Sequence, residues 1–187
     1  MVWRNSATGF GLTTRILHWA MMLLIVGVLI LGNKIADMQP ALANLYLFGV
    51  HKTLGFAVLS LTLFRVIWHR ISPPPPPIGN PRAITNRLAR AVHTLIYLCL
   101  IAIPLSGWIA NSATGLDVML FDRIAFPAIA PVSETWEKNG FWAHGVLTKT
   151  LIGLLGAHIL GTMLRGVKQD GTLARMTGGS IGPALWP

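Results

Sequence analysis

Four long apolar runs, parted by connectors rich in proline, glycine and charge, organise this chain. They are Ile16–Gly32 ("ILHWAMMLLIVGVLILG"), Leu45–Trp68, Leu88–Ala110 and Phe141–Leu164. At 1.5 Å of rise per residue, runs of this length match the ~30 Å hydrocarbon layer of a bilayer as single helices. The connector "RISPPPPPIGNPRAITNR" carries consecutive prolines, which lack amide donors. It predicts an end to the second helix and a polyproline strut after it. "NKIADMQPALAN" joins the first two runs. The stretch Asn111 to Gly140 contains "LDVMLFDRIAFPAIAP", predicted to lie on the membrane surface as a short amphipathic piece. The "ALA" of Ala41–Ala43 lies well beyond the first apolar core, whereas a signal-peptide cleavage site follows closely. The first run is therefore read as a retained span.

Composition fixes the class. Of 187 residues, 53% are hydrophobic and only 11% charged, too few charges to clothe a soluble globule. The expectation is an all-α membrane protein: four transmembrane helices in an antiparallel bundle, residues 1–187 forming one integral-membrane domain. The net charge of +9 changes this picture only through its distribution. Arg4, Arg15, Arg65, Arg70, Arg82, Arg87, Arg90, Arg165, Lys168 and Arg175 fall on one side, against the single acid Asp170. The other side holds Lys34, Lys52, Arg123 and Lys138 against Asp37, Asp117, Asp122, Glu134 and Glu137. This asymmetry predicts that both termini are cytoplasmic and that the basic face meets anionic lipid, with no nucleic acid as partner. The lone cysteine, Cys99, sits in an apolar run and is read as a small core residue.

Histidine is the side chain these runs should not contain without reason, because ionisable groups inside spans are expensive. His51 and His144 fall in the outer half of the predicted bundle. His18, His69, His93 and His158 fall in the inner half. His144 and His158 lie fourteen residues apart, a rotation of about 1400°, so they share one helix face with ~21 Å between them. Ligand-type residues on facing helices, in two layers, suit an iron macrocycle that takes one axial imidazole from each side. Zinc needs three or four converging donors, and the apolar walls supply no nearby acid or thiolate. No Cys-x-x-Cys-His occurs, so the predicted cofactors are two non-covalent b haems.

Elimination pairs His51 with His144. His158 belongs to the inner site, with His18 or His93 as its partner on sequence alone. His69, beside Arg70 and the prolines, is assigned a headgroup-level role. Arg65 follows His51 by fourteen residues on the same face, where it either meets a haem propionate or snorkels as an anchor.

The blocks "RILHWAMMLLI", "VHKTLGFAVLSLTLFRVIWHRISPPPPP", "LARAVHTLIYLCLIAIPLSGWIANSATG" and "LLGAHILGTMLRGVKQDGTLARM" resemble, in order and spacing, the bacterial cytochrome b561 family. The resemblance implies a bacterial inner-membrane dihaem cytochrome that exchanges electrons with the quinone pool. It pairs His18 with His158 and His51 with His144, and leaves His93 without an iron where a quinone docks. Members of the superoxide-oxidase type oxidise superoxide at the outer face and pass the electron to ubiquinone. Lys52, next to His51, suits an anionic donor there, and Lys149 would add to it if it faced inward. The other reading is a membrane-anchor subunit that serves a separate periplasmic dehydrogenase or c-type cytochrome, with Asn111 to Gly140 as its docking surface. A histidine-based metal or proton transporter is the third.

Overall fold

The computed structural model describes residues 2–121 and 123–178. Asp122, one of the acids placed on the outer side, lies outside them. Four helices are long and apolar enough to span a membrane: α1 (Leu12–Ala36), α2 (Leu45–Ile71), α3 (Ile84–Ala113) and α4 (Glu134–Val167). A short α5 (Thr172–Thr177) follows. The protein is thus an all-α membrane protein with four spans.

Each helix runs past its predicted apolar core, because the polar flanks carry start and stop signals that hydropathy does not read. α4 begins seven residues early at Glu134. Ser133 caps it, its hydroxyl accepting the Trp136 amide at 3.5 Å, and Glu134 and Glu137 in the first turn complement the helix dipole. α2 stops at Ile71, ahead of the prolines.

The surface piece expected near 116–131 is instead a β-hairpin, β1 (Val118–Leu120) paired antiparallel with β2 (Ile124–Phe126). β-branched residues favour the strands. Phe121, at φ 52°, supplies the left-handed turn geometry, and its amide donates to the Thr53 hydroxyl at 3.0 Å.

The chain packs as two compact units. The first gathers the described residues of Met1–Ala20, Leu63–Tyr97 and Ile152–Pro187. The second is Met21–Thr62 and Leu98–Leu151. In the first unit, the Trp68 indole donates to the buried Thr14 hydroxyl at 2.9 Å. Asn5 binds Ser72 through its amide at 2.9 Å and its side chain at 2.8 Å, tying the N-terminal segment to the end of α2. Asn86 accepts from Arg165, which also pairs with Asp170. In the second unit, Met21, Ile25, Val58, Leu100, Leu151 and Cys99 are buried, the cysteine as its apolar setting predicts. A Cβ on Gly140 would come within 2.8 Å of the Ala110 Cβ, so a glycine lets α3 and α4 approach closely, a membrane-helix device. Large side chains such as Leu23, Ile30, Leu98, Ile152 and Leu160 are exposed, the faces that lipid covers.

Candidate functional site: paired histidines

In the second unit, α2 and α4 bring His51 and His144 face to face, with ring centroids 6.1 Å apart and planes at 73°. α3 shapes this pair. Pro104 has no amide to extend the helix ladder. The neighbouring Ile103 carbonyl accepts the Ser106 hydroxyl at 2.8 Å and His144 Nδ1 at 2.9 Å. An Nδ1–H committed to a carbonyl assigns the other ring nitrogen, Nε2, as the free donor atom for a metal. Gly107 and Gly32 make room: a Cβ would come within 3.1 Å of His144 Nδ1 at the first and 2.8 Å of His51 Cε1 at the second. His51 Nδ1 is buried and outside hydrogen-bond geometry to the described groups, with the Val28 backbone as its neighbouring acceptor.

In the first unit, α1 and α4 place His18 and His158 at 6.2 Å between centroids, planes tilted by 59°. Arg65 turns inward rather than snorkelling, both terminal nitrogens lying 3.5 Å from His18 Nδ1. His93, from α3, packs edge-on against His158 at 4.9 Å. Its Nδ1 donates to the Ala89 carbonyl at 2.6 Å, and the exposed ring keeps Nε2 available.

These spacings discriminate. Two imidazoles that were to share one metal would need room between them for two metal–nitrogen bonds of about 2.0 Å each. Both pairs, at 6.1 and 6.2 Å between centroids, would leave that room, while His93 packs closer to His158, at 4.9 Å. Among the described residues no three metal-ligating side chains converge; the donors come in twos. The residues present fit a b haem at each pair.

Other expectations shift. His69 has a buried Nε2, and its ring faces Tyr97 at 6.4 Å. Lys149 is exposed, on a helix position turned about 140° from His144, so it adds nothing there. Lys52 Nζ donates to the Asn111 side chain at 3.4 Å. Gly32, Gly107, Ser106 and Tyr97 went unread in the sequence. "IPLSGW", a proline and a glycine inside a span, is the signal that would have found two of them.

Four membrane-spanning helices bearing imidazoles in pairs define a b-type membrane cytochrome. The chain belongs to the prokaryotic cytochrome b561 family, whose model matches residues 9–179. It is 27% identical to cytochrome b561 homolog 2 of Escherichia coli (strain K12) over 188 residues, covering 96% of this chain and 97% of that one. It is 26% identical to the "Probable superoxide oxidase CybB" of Yersinia pestis over 164 residues, covering 86% and 90%. The protein is therefore a multi-pass bacterial inner-membrane oxidoreductase that carries electrons across the membrane with b-type haem.

Proposed function

We propose that the protein binds two b haems, one between His51 and His144 and one between His18 and His158, and oxidises superoxide while reducing ubiquinone. The observation that carries this reading is the spacing of the two pairs, 6.1 and 6.2 Å. Bound haem supplies one-electron chemistry. With the basic side of the chain cytoplasmic, the second unit takes the periplasmic donor and the first the quinone. Lys52 attracts the anionic donor. His93, with Nδ1 committed to the Ala89 carbonyl, can take up a proton at Nε2 and pass it on, at an exposed face where a quinone head can lie with its tail in lipid. Two superoxide ions give up one electron each and become dioxygen; one quinone takes the two electrons and two protons and becomes quinol. The name of the Yersinia pestis relative supports the choice of donor.

The test is a purified, two-haem preparation supplied with enzymatically generated superoxide and a soluble ubiquinone analogue. The haem α-band should rise with superoxide and fall when quinone is added. Haems that stay oxidised under superoxide but are reduced by a periplasmic dehydrogenase or c-type cytochrome would replace this reading with the anchor-subunit one.

A further inference from the structure

The first unit holds two buried polar atoms that iron ligation leaves unused. The Tyr97 hydroxyl and His69 Nε2 are sealed from solvent, and neither has a hydrogen-bond partner among the described residues. Within a span, where no water reaches, leaving such groups unpaired is costly, so the pair calls for a bound acceptor. The rings lie together, 6.4 Å between centroids, and the Arg65 guanidinium stands over Tyr97 at 5.9 Å. Arg65 and His69 are four residues apart on α2 and share a face; Tyr97 comes from α3. A phenol, an imidazole N–H and a guanidinium all donate, and the guanidinium is permanently positive. The complement is an acidic acceptor. Among the chain's six acids, Asp170 alone belongs to the first unit, and it pairs with Arg165 at 3.5 Å.

We propose that Arg65, His69 and Tyr97 form a carboxylate-receiving site for the propionate edge of the haem held by His18 and His158; this rests on that ligand assignment. Arg65 links the two places, touching His18 Nδ1 at 3.5 Å while covering Tyr97. A carboxylate arriving here is best carried by a molecule already bound at His18, and a b haem bears two. A quinone head brings acceptors without charge. His69 and Tyr97 are thus haem-binding residues that touch no iron.

The test uses intact holoprotein loaded with haem carrying 13C in its propionate carboxylates. Tyr97→Phe and His69→Leu should keep both haems. Each should shift the labelled carboxylate bands in the reduced-minus-oxidised infrared spectrum. Each should also lower the reduction equilibrium constant of one haem about threefold, because a carboxylate stripped of a donor favours ferric iron. The double variant should reach about tenfold, or 59 mV for a one-electron couple. The affected haem should be the one that His18→Ala removes, and His69→Gln, which keeps a donor, should restore most of the loss. Unmoved midpoints, a midpoint shift without any change in the labelled bands, or a shift in the haem that His51→Ala removes would each overturn the proposal. Should Tyr97→Phe not assemble, His69→Leu against His69→Gln decides by the same two readouts. The ligand assignment fails by a different result, retention of both haems in His18→Ala.

Discussion

The two histidine pairs have nearly the same separation, 6.1 and 6.2 Å, yet their surroundings differ in kind. In the second unit, the pair is held mainly by backbone and packing, with the Ser106 hydroxyl 3.4 Å from His144 Nδ1. Ile103 offers a carbonyl to His144, and two glycines leave the volume that the imidazole rings occupy. In the first unit, the pair is held among polar side chains. Arg65 lies on His18, His93 leans on His158, and His69 and Tyr97 stand behind with buried polar atoms. A carbonyl orients a ligand and does little else. Side chains that carry charge and protons can also compensate an anion or hand a proton to an acceptor. On the proposed reading, the same spacing of paired imidazoles serves once for electron entry and once beside groups that can manage the protons of a quinone.

Removing ligands should break the comparison most severely. His144→Ala or His51→Ala should leave one haem per chain, as should His18→Ala or His158→Ala, measured as the pyridine haemochrome against protein. The two groups of variants should lose spectrally different haems. Any one of the four that retained both haems would dissolve the assignment for its pair.

His93 sharpens the contrast from the other side. His93→Ala should keep both haems, since its ring packs edge-on against His158 at 4.9 Å and not at the 6.1–6.2 Å of the two pairs. It should slow quinone reduction about 100-fold, the ordinary worth of a positioned general acid, while haem reduction by superoxide proceeds as before. Loss of a haem in this variant would return His93 to the ligand set.

What could be read from sequence divides along the same line. The four spans, the shared face of His144 and His158 and that of His51 and Arg65 follow from periods of 3.6 and 14 residues, which survive in any helical packing. The partner of His158 did not follow: His18 and His93 lie at similar depth on different helices, and only packing sets one at 6.2 Å and the other at 4.9 Å. The contact of His69 with Tyr97 was not legible either: its neighbours in sequence are polar, and only packing brings the two rings together. The hairpin was missed because a three-residue strand carries too little periodicity to outweigh an apolar composition.

A smaller effect should separate packing from hydrogen bonding as the means of holding a ligand. Gly107→Val puts a branched side chain where a Cβ alone meets His144 at 3.1–3.2 Å. Overpacking of this kind costs about 1–3 kcal/mol. Haem should be lost from the second unit at a lower temperature or detergent load than in the parent, with the other haem's spectrum unchanged. Equal loss from both sites would mean that Gly107 acts on the whole bundle and not on one pair.

The smallest effect concerns the entry of the donor. The chain's excess of positive charge lies on the side predicted to be cytoplasmic, so attraction of an anion to the second unit has to come from a local group. Lys52 is that group, one residue from His51 and hydrogen-bonded to Asn111, whose side-chain amide in turn donates to the Leu116 carbonyl at 3.0 Å. Lys52→Glu reverses a charge without touching a ligand. It should slow haem reduction by superoxide several-fold at low ionic strength, an effect of steering on encounter. The difference should shrink as salt rises to 0.15 M, where the screening length falls to about 8 Å. Reduction of the haems by added quinol, a neutral donor acting at the first unit, should hardly change. Slowing of both half-reactions alike, or slowing that ignores salt, would place Lys52 in the structure of the second unit and remove it from the path of the donor.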